Sequence, residues 1–193
     1  MSTFLHYMRA FDRIREMPGD IAECGVGRGK TFLFLSFLAS QENKSRTVWG
    51  FDSFAGFPDP TPEDDSPRNP QTGEKISKKE DVLWMLRDAN LGDGFMKNRV
   101  RLVPGFFRDT LPRYAGSDIA LLHIDADLYG SYKDALENLY PRVRPGGWVL
   151  FDEYNTIQFP GATQAVNEYF AATGVEITRD TLSGKYYCIK PLR

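Results

Sequence analysis

The chain has 193 residues, a formal net charge of −2 and 41% hydrophobic residues. That is enough for one domain with a real core. The near-balanced charge offers nucleic acid no basic face, and no apolar run approaches the roughly 18 residues that cross a membrane.

The opening, MSTFLHYMRAFDRIREM, is mixed in charge and lacks the uninterrupted apolar core of a secretion signal, so none is expected. Phe4, Leu5, Met8, Phe11 and Arg15 fall at helical spacing and predict a short amphipathic helix. Such a stripe suits the chain's own sheet or a partner's, which leaves a homodimer open. Strands and helices then alternate. DIAECG reads as a strand, KTFLFLSFLAS as a helix, TVWGFD as a second strand, and KKEDVLWMLRDAN as a helix with Val82, Leu83, Leu86 and Ala89 on one stripe. RVRLVPG is a third strand, followed by the short FFRDTLPRY. DIALLHID is a fourth strand, GSYKDALENLYPRV a helix, GGWVLFDEY a fifth strand and GATQAVNEYFAAT a last helix. VEITRDTLSGKYYCIKP forms two alternating runs around Ser183-Gly184, a hairpin signal.

This alternation predicts a single α/β domain over residues 1–193, with a mostly parallel sheet covered on both faces. Five such units plus a terminal antiparallel hairpin resemble the seven-stranded, Rossmann-like sheet of class I methyltransferases. One segment breaks the rhythm. Residues 55–80 hold five of the chain's 12 prolines and almost no apolar side chains. A mobile lid over a site at the strand ends is expected there, a floppy insertion being the alternative. Cys24 and Cys188 lie in apolar strand-like runs and form no disulfide framework, so a reducing cytoplasm is the expected compartment.

The stretch AECGVGRGKT poses the functional question. Counting back five from Gly29 reaches Cys24, so a phosphate-binding P-loop is missing its first glycine; a dinucleotide fingerprint fails because Lys30 stands in its third glycine position. What remains is an acid, Glu23, ahead of Gly25, Gly27 and Gly29. A carboxylate at the mouth repels a triphosphate and attracts a cation. S-adenosylmethionine carries an ammonium and a sulfonium, so Glu23 suits its methionine end while Gly25 and Gly27 let backbone amides approach. Asp52, at the end of the second strand and followed by Ser53, suits the ribose hydroxyls. Gly105 and Phe106, after the third strand, suit the adenine.

Asp125 and Asp127 follow the fourth strand; Asp152 and Glu153 follow the fifth. Neighbouring strands would gather these acids at the nucleoside edge, where mutual repulsion calls for a cation. With oxygen donors only, that cation is a hard ion such as Mg²⁺. Capping of the following helices by Asp127 and Asp152 is the alternative. His123 reads as a core histidine, Arg28, Lys30 and Arg108 as solvated or loop-bracing, and Tyr129 and Tyr132 as lining the pocket mouth.

GDIAECGVGRGKT, VWGFDSFAGFP, PGFFRDTLP, IALLHIDADLYGSYKDALENLYPRVRPGGWVLFDEY and GATQAVNEYF, in this order, resemble the macrocin O-methyltransferase (TylF/MycF-type) family. The resemblance implies an S-adenosylmethionine- and Mg²⁺-dependent O-methyltransferase of secondary metabolism. It would act on a sugar-type hydroxyl of a small molecule. It implies Asp125, Asp152 and Glu153 as metal ligands, Asp125 or Asp127 as catalytic base, and Glu23, Gly25, Gly27, Asp52, Ser53, Gly105, Phe106 and Asp125 around the cofactor. The pattern departs at Glu153, where an Asp-Asp pair is expected, and at Gly27, where a bulky residue is expected. A metal-independent methyltransferase and a non-catalytic nucleoside-binding module are the alternative readings.

Overall fold

The computed structural model describes residues 2–42 and 44–192. Seven strands form one sheet in the order β3-β2-β1-β4-β5-β7-β6. β1 (Asp20–Cys24), β2 (Val48–Asp52), β3 (Val100–Pro104), β4 (Ile119–Ile124) and β5 (Val143–Phe151) are parallel, and β7 (Tyr186–Ile189) pairs antiparallel with both β5 and β6 (Thr178–Arg179). β1 and β4 are buried at every position, which is why they read as continuous apolar runs rather than alternating ones. The expected parallel sheet with a C-terminal hairpin is therefore observed. No helix among the described residues is long and apolar enough to cross a membrane. Cys24 and Cys188 are both free and buried.

Helices α1 (Ser2–Ile14), α2 (Lys30–Ser40) and α3 (Lys79–Asp88) cover one face, while α6 (Tyr129–Leu139) and α7 (Pro160–Phe170) cover the other. Two short helices flank β3: α4 (Asp93–Arg99), which the sequence pattern did not reveal, and α5 (Phe107–Thr110). α4 buries no residue, so it has no apolar stripe to read.

The predicted stripe on α1 is a correction. The inward face is Tyr7, Ala10, Phe11 and Ile14, with His6 beside them, while Phe4, Leu5 and Met8 are exposed. Both faces carry apolar side chains, so spacing alone does not choose between them. Tyr7 and His6 go inward, where the Tyr7 hydroxyl meets His123 and His6 Nδ1 meets Asp180. On α3, Val82 and Leu86 are buried as expected, whereas Ala89 is exposed.

Residues 55–80 also differ from a purely polar loop. Phe57 and Asp64 are buried, and Phe57 meets Phe159 edge-to-face. Asp64 accepts from Thr61 N–H (2.9 Å), from the Thr61 hydroxyl (3.1 Å) and from Tyr129 N–H, the first of α6 (2.7 Å). A carboxylate from a remote loop thus caps a helix that has no capping side chain of its own. Asp64→Ala is expected to cost about 2–4 kcal/mol, because it strips charge-assisted bonds from a helix terminus. For a domain of this size that lowers the melting temperature by about 5–15 °C. Calorimetry checks it, and a wild-type melting temperature would show that the segment is held by other contacts.

Candidate active site

β1 and β4 are neighbours although β2 and β3 lie beyond β1, so the chain reverses direction between them and leaves a crevice outside their carboxyl ends. A cavity of about 490 Å³ sits there, within the usual range for small-molecule sites. Its walls include Glu23, Gly25, Gly27, Asp52, Ser53, Phe106, Asp125 and Asp127, and so most of the expected cofactor and base residues. Gly105 is not among the lining residues. It turns the chain at φ +135° and donates its N–H to the Asp52 carbonyl (2.9 Å), presenting Phe106, Phe107 and Arg108 to the cavity.

Asp52 does more than the sequence suggested. Its Oδ2 accepts from Gly27 N–H (2.7 Å) and its Oδ1 from Phe54 N–H (2.7 Å), so this one carboxylate fixes the glycine turn to the second strand. Each oxygen keeps a lone pair for a further donor. Gly27 has φ +52°, and a Cβ there would meet nothing within 4 Å, so the loop has room for the bulkier residue the resemblance led us to expect.

Glu23 is fully buried. Its Oε1 lies 3.1 Å from His123 Nδ1, and its Oε2 has no partner. Burial first, then the charges of Asp52 and Asp152, push its pKa well above the usual carboxylate range. A buried carboxylate with one orphaned oxygen at a cavity wall is a site for a cation. The fit to S-adenosylmethionine rests on this atom.

The acids at the strand ends do converge, in two overlapping groups that share Asp125. Ligand atoms of Asp125, Asp127 and Glu153 lie within 4.8 Å of one another, as do those of His123, Asp125 and Asp152. Burial, then Asp152, pushes the Asp125 carboxyl up to about 7. Burial raises Asp127 as well, against the opposing pull of Lys75. Burial would raise Asp152 too, but Lys185 and His123 outweigh it and hold its pKa below the usual range. Glu153 is buried and raised by its surroundings and by the charges of Asp125, Asp127 and Asp152; its Oε2 accepts from the Tyr132 hydroxyl (2.7 Å). The donor set of clustered carboxylates suits a hard divalent ion. The His123 nitrogens are already turned to Glu23 and Tyr7.

Asp152 and Glu153, in the bend just past β5, divide between these two groups and take different partners. Asp152 goes toward Lys185 and Glu153 toward Tyr132. Neither Asp127 nor Asp152 caps a helix. Tyr132 is fully buried, bonded to Glu153 and to the Ile124 carbonyl, which corrects its expected place at the pocket mouth. Near α6 the cavity is lined instead by Gly130, Ser131 and Asp134, and Tyr129 turns its hydroxyl to Glu168.

Two lysines were invisible to sequence reasoning. Lys75, from the proline-rich segment, reaches both oxygens of Asp127 (2.7 and 2.9 Å) and lies over the rings of Phe57 and Phe159. Lys185, from the hairpin, lies 2.5 Å from Asp152 Oδ1. Asp127 itself adopts φ +60°, a strained backbone for a non-glycine residue. A polar groove lined by Asp152, Tyr154, Asn155, Arg179 and Lys185, among others, reaches Asp152 separately from the cofactor cavity.

A doubly wound sheet whose last strand inserts antiparallel beside β5, with a ligand crevice at the β1/β4 switch, is that of a class I methyltransferase. The calicheamicin methyltransferase CalS11 superposes with a TM-score of 0.87 at 26% identity, covering 98% of this chain and 79% of that one. The O-methyltransferase NovP superposes with a TM-score of 0.79 at 31% identity, covering 98% and 80%. Residues 5–183 match the macrocin O-methyltransferase (TylF) family, and the chain belongs to it. The mycinamicin III 3''-O-methyltransferase of Micromonospora griseorubida is 35% identical over 179 residues, 89% of this chain and 68% of that protein. The demethyldecarbamoylnovobiocin O-methyltransferase of Streptomyces niveus is 38% identical over 162 residues, 80% and 59% respectively. The chain thus spans only about three fifths to two thirds of these relatives' length.

Proposed function

We propose that this single domain transfers a methyl group from S-adenosylmethionine to a sugar-type hydroxyl of a small molecule, with a divalent hard ion such as Mg²⁺ at Asp125, Asp152 and Glu153. The observation that carries the reading is Asp125, which belongs both to the cofactor cavity wall and to both groups of clustered acids. A relative from Streptomyces olivaceus, 35% identical over 161 residues (82% of this chain and 60% of that protein), is an 8-demethyl-8-(2,3-dimethoxy-alpha-L-rhamnosyl)-tetracenomycin-C 4'-O-methyltransferase, which supports a sugar-type acceptor.

The chain's own residues divide the work. Glu23 offers its free oxygen to the cofactor's ammonium, Asp52 its remaining lone pairs to the ribose, and Phe106 its ring to the adenine. The cofactor supplies an electrophilic methyl on its sulfonium. An ion held by these acids would supply Lewis acidity toward the acceptor hydroxyl. Asp125 or Asp127 takes the hydroxyl proton. The groove beside Asp152 gives the acceptor its own approach. Residues 55–80 act as a lid: Lys75 latches the segment to Asp127 and Phe57 helps to exclude water.

A second reading is favoured by Lys75 and Lys185. The chain supplies its own ammonium to Asp127 and to Asp152, as a metal-independent enzyme would. Transfer of labelled methyl to a panel of glycosides, run with Mg²⁺ and with EDTA, separates the two. We expect EDTA to abolish transfer. Transfer that survives EDTA would assign the acids to the second reading, and cofactor binding with no transfer to any acceptor would support a binding module.

A further inference from the structure

Both histidines of the chain are buried, and neither has a part in the mechanism above. The more informative is His123. Its Nδ1 lies 3.1 Å from Glu23 Oε1 and its Nε2 lies 3.4 Å from the Tyr7 hydroxyl, whose ring meets the imidazole edge-on at 5.1 Å. Tyr7, His123 and Glu23 are 3%, 1% and 0% exposed, so this chain of contacts is shielded from bulk solvent. Glu23 Oε1 accepts in either charge state if the proton of the acid form sits on Oε2. His123 therefore carries its hydrogen on Nδ1, and Nε2 accepts from the Tyr7 hydroxyl. Every polar atom of the relay is engaged except Glu23 Oε2, the oxygen left for a ligand at the cavity wall.

We propose that His123, oriented by Tyr7, is a positioning residue that aims Glu23 at the ammonium of the cofactor, which makes α1 part of the cofactor site. The inference rests on reading the cavity as an S-adenosylmethionine site. Its physical basis is that a Glu side chain has three rotatable bonds. With Oε1 tied to a ring that is held in turn from α1, Oε2 is presented in a single direction, and the ordering of Glu23 does not have to be met when the cofactor binds.

The test compares two probes by calorimetry. S-adenosylhomocysteine has the amino-acid end; 5′-methylthioadenosine has the same adenosine without it. His123→Leu is expected to weaken S-adenosylhomocysteine about 10- to 100-fold, the range for losing a charge-assisted hydrogen bond. It should leave 5′-methylthioadenosine within about twofold, since the relay touches only the amino-acid end. His123→Asn is expected to restore most of the affinity, because its amide N–H can stand where Nδ1–H stood. Tyr7→Phe keeps the packing and removes only the hydroxyl, so it should weaken S-adenosylhomocysteine alone, by about 3- to 10-fold. Equal weakening of both probes, or no gain from His123→Asn over His123→Leu, would reduce His123 to a structural residue and overturn the proposal. Unchanged binding by Tyr7→Phe would remove α1 from it. Wild-type protein that binds neither probe would overturn the cofactor reading itself.

Discussion

Asp125→Ala is expected to lower methyl transfer by about three orders of magnitude, within the range for loss of a positioned proton acceptor, and to weaken S-adenosylhomocysteine by less than about tenfold. The asymmetry follows from the site. Glu23 and Asp52 remain to hold the two polar ends of the cofactor, whereas both groups of clustered acids lose the residue they share. The prediction holds with or without the ion, because Asp125 is both a candidate ligand and a candidate base. Burial and the charge of Asp152 bring its carboxyl up to about 7, where a group accepts a proton readily at neutral pH. Asp127 is a poorer base by the same reasoning, since Lys75 already engages both its oxygens. Asp127→Asn should therefore cost only about tenfold, mainly through the lid. Steady-state rates beside calorimetric affinities check both variants, and an Asp125→Ala enzyme near the wild-type rate would take the chemistry away from the acid cluster.

The parts of this site that were legible in the sequence are local. The glycine turn, the acid before it and the acids at the strand ends sit within a few residues of the strand they terminate, and a buried parallel strand announces itself as an apolar run. What was not legible joins remote segments. Lys75 meets Asp127 across 52 positions, Lys185 meets Asp152 across 33, and Asp64 caps α6 across 65. No periodicity encodes such pairs, because they follow from where the sheet order sets down each loop. The same holds for α1, whose two apolar faces are told apart only by the partners awaiting His6 and Tyr7 inside.

Gly25 and Gly27 look equivalent in the motif, and the structure predicts opposite results for them. At Gly25, φ is +93° and a Cβ would stand 1.7 Å from the Asp125 carbonyl oxygen. No neighbouring side chain can move aside to relieve that contact, because the obstacle is backbone. The backbone is also fixed, with Asp125 N–H donating to the Cys24 carbonyl and Gly25 N–H to the Phe51 carbonyl, both at 2.9 Å. Gly25→Ala must therefore push the β1 and β4 ends apart at the point where the cofactor turn meets the acid cluster. The unfavourable backbone and the overpacking together cost about 3–5 kcal/mol. That lowers the melting temperature by about 6–20 °C, and cofactor affinity should fall with it by at least about a hundredfold. At Gly27 the added methyl meets open space at φ +52°, a region other residues do visit. Gly27→Ala should cost no more than about 1–2 kcal/mol. Thermal melts and S-adenosylhomocysteine titrations on the two variants decide the matter. If they behave alike, the close approach of Gly25 to Asp125 does not hold the two halves of the site together.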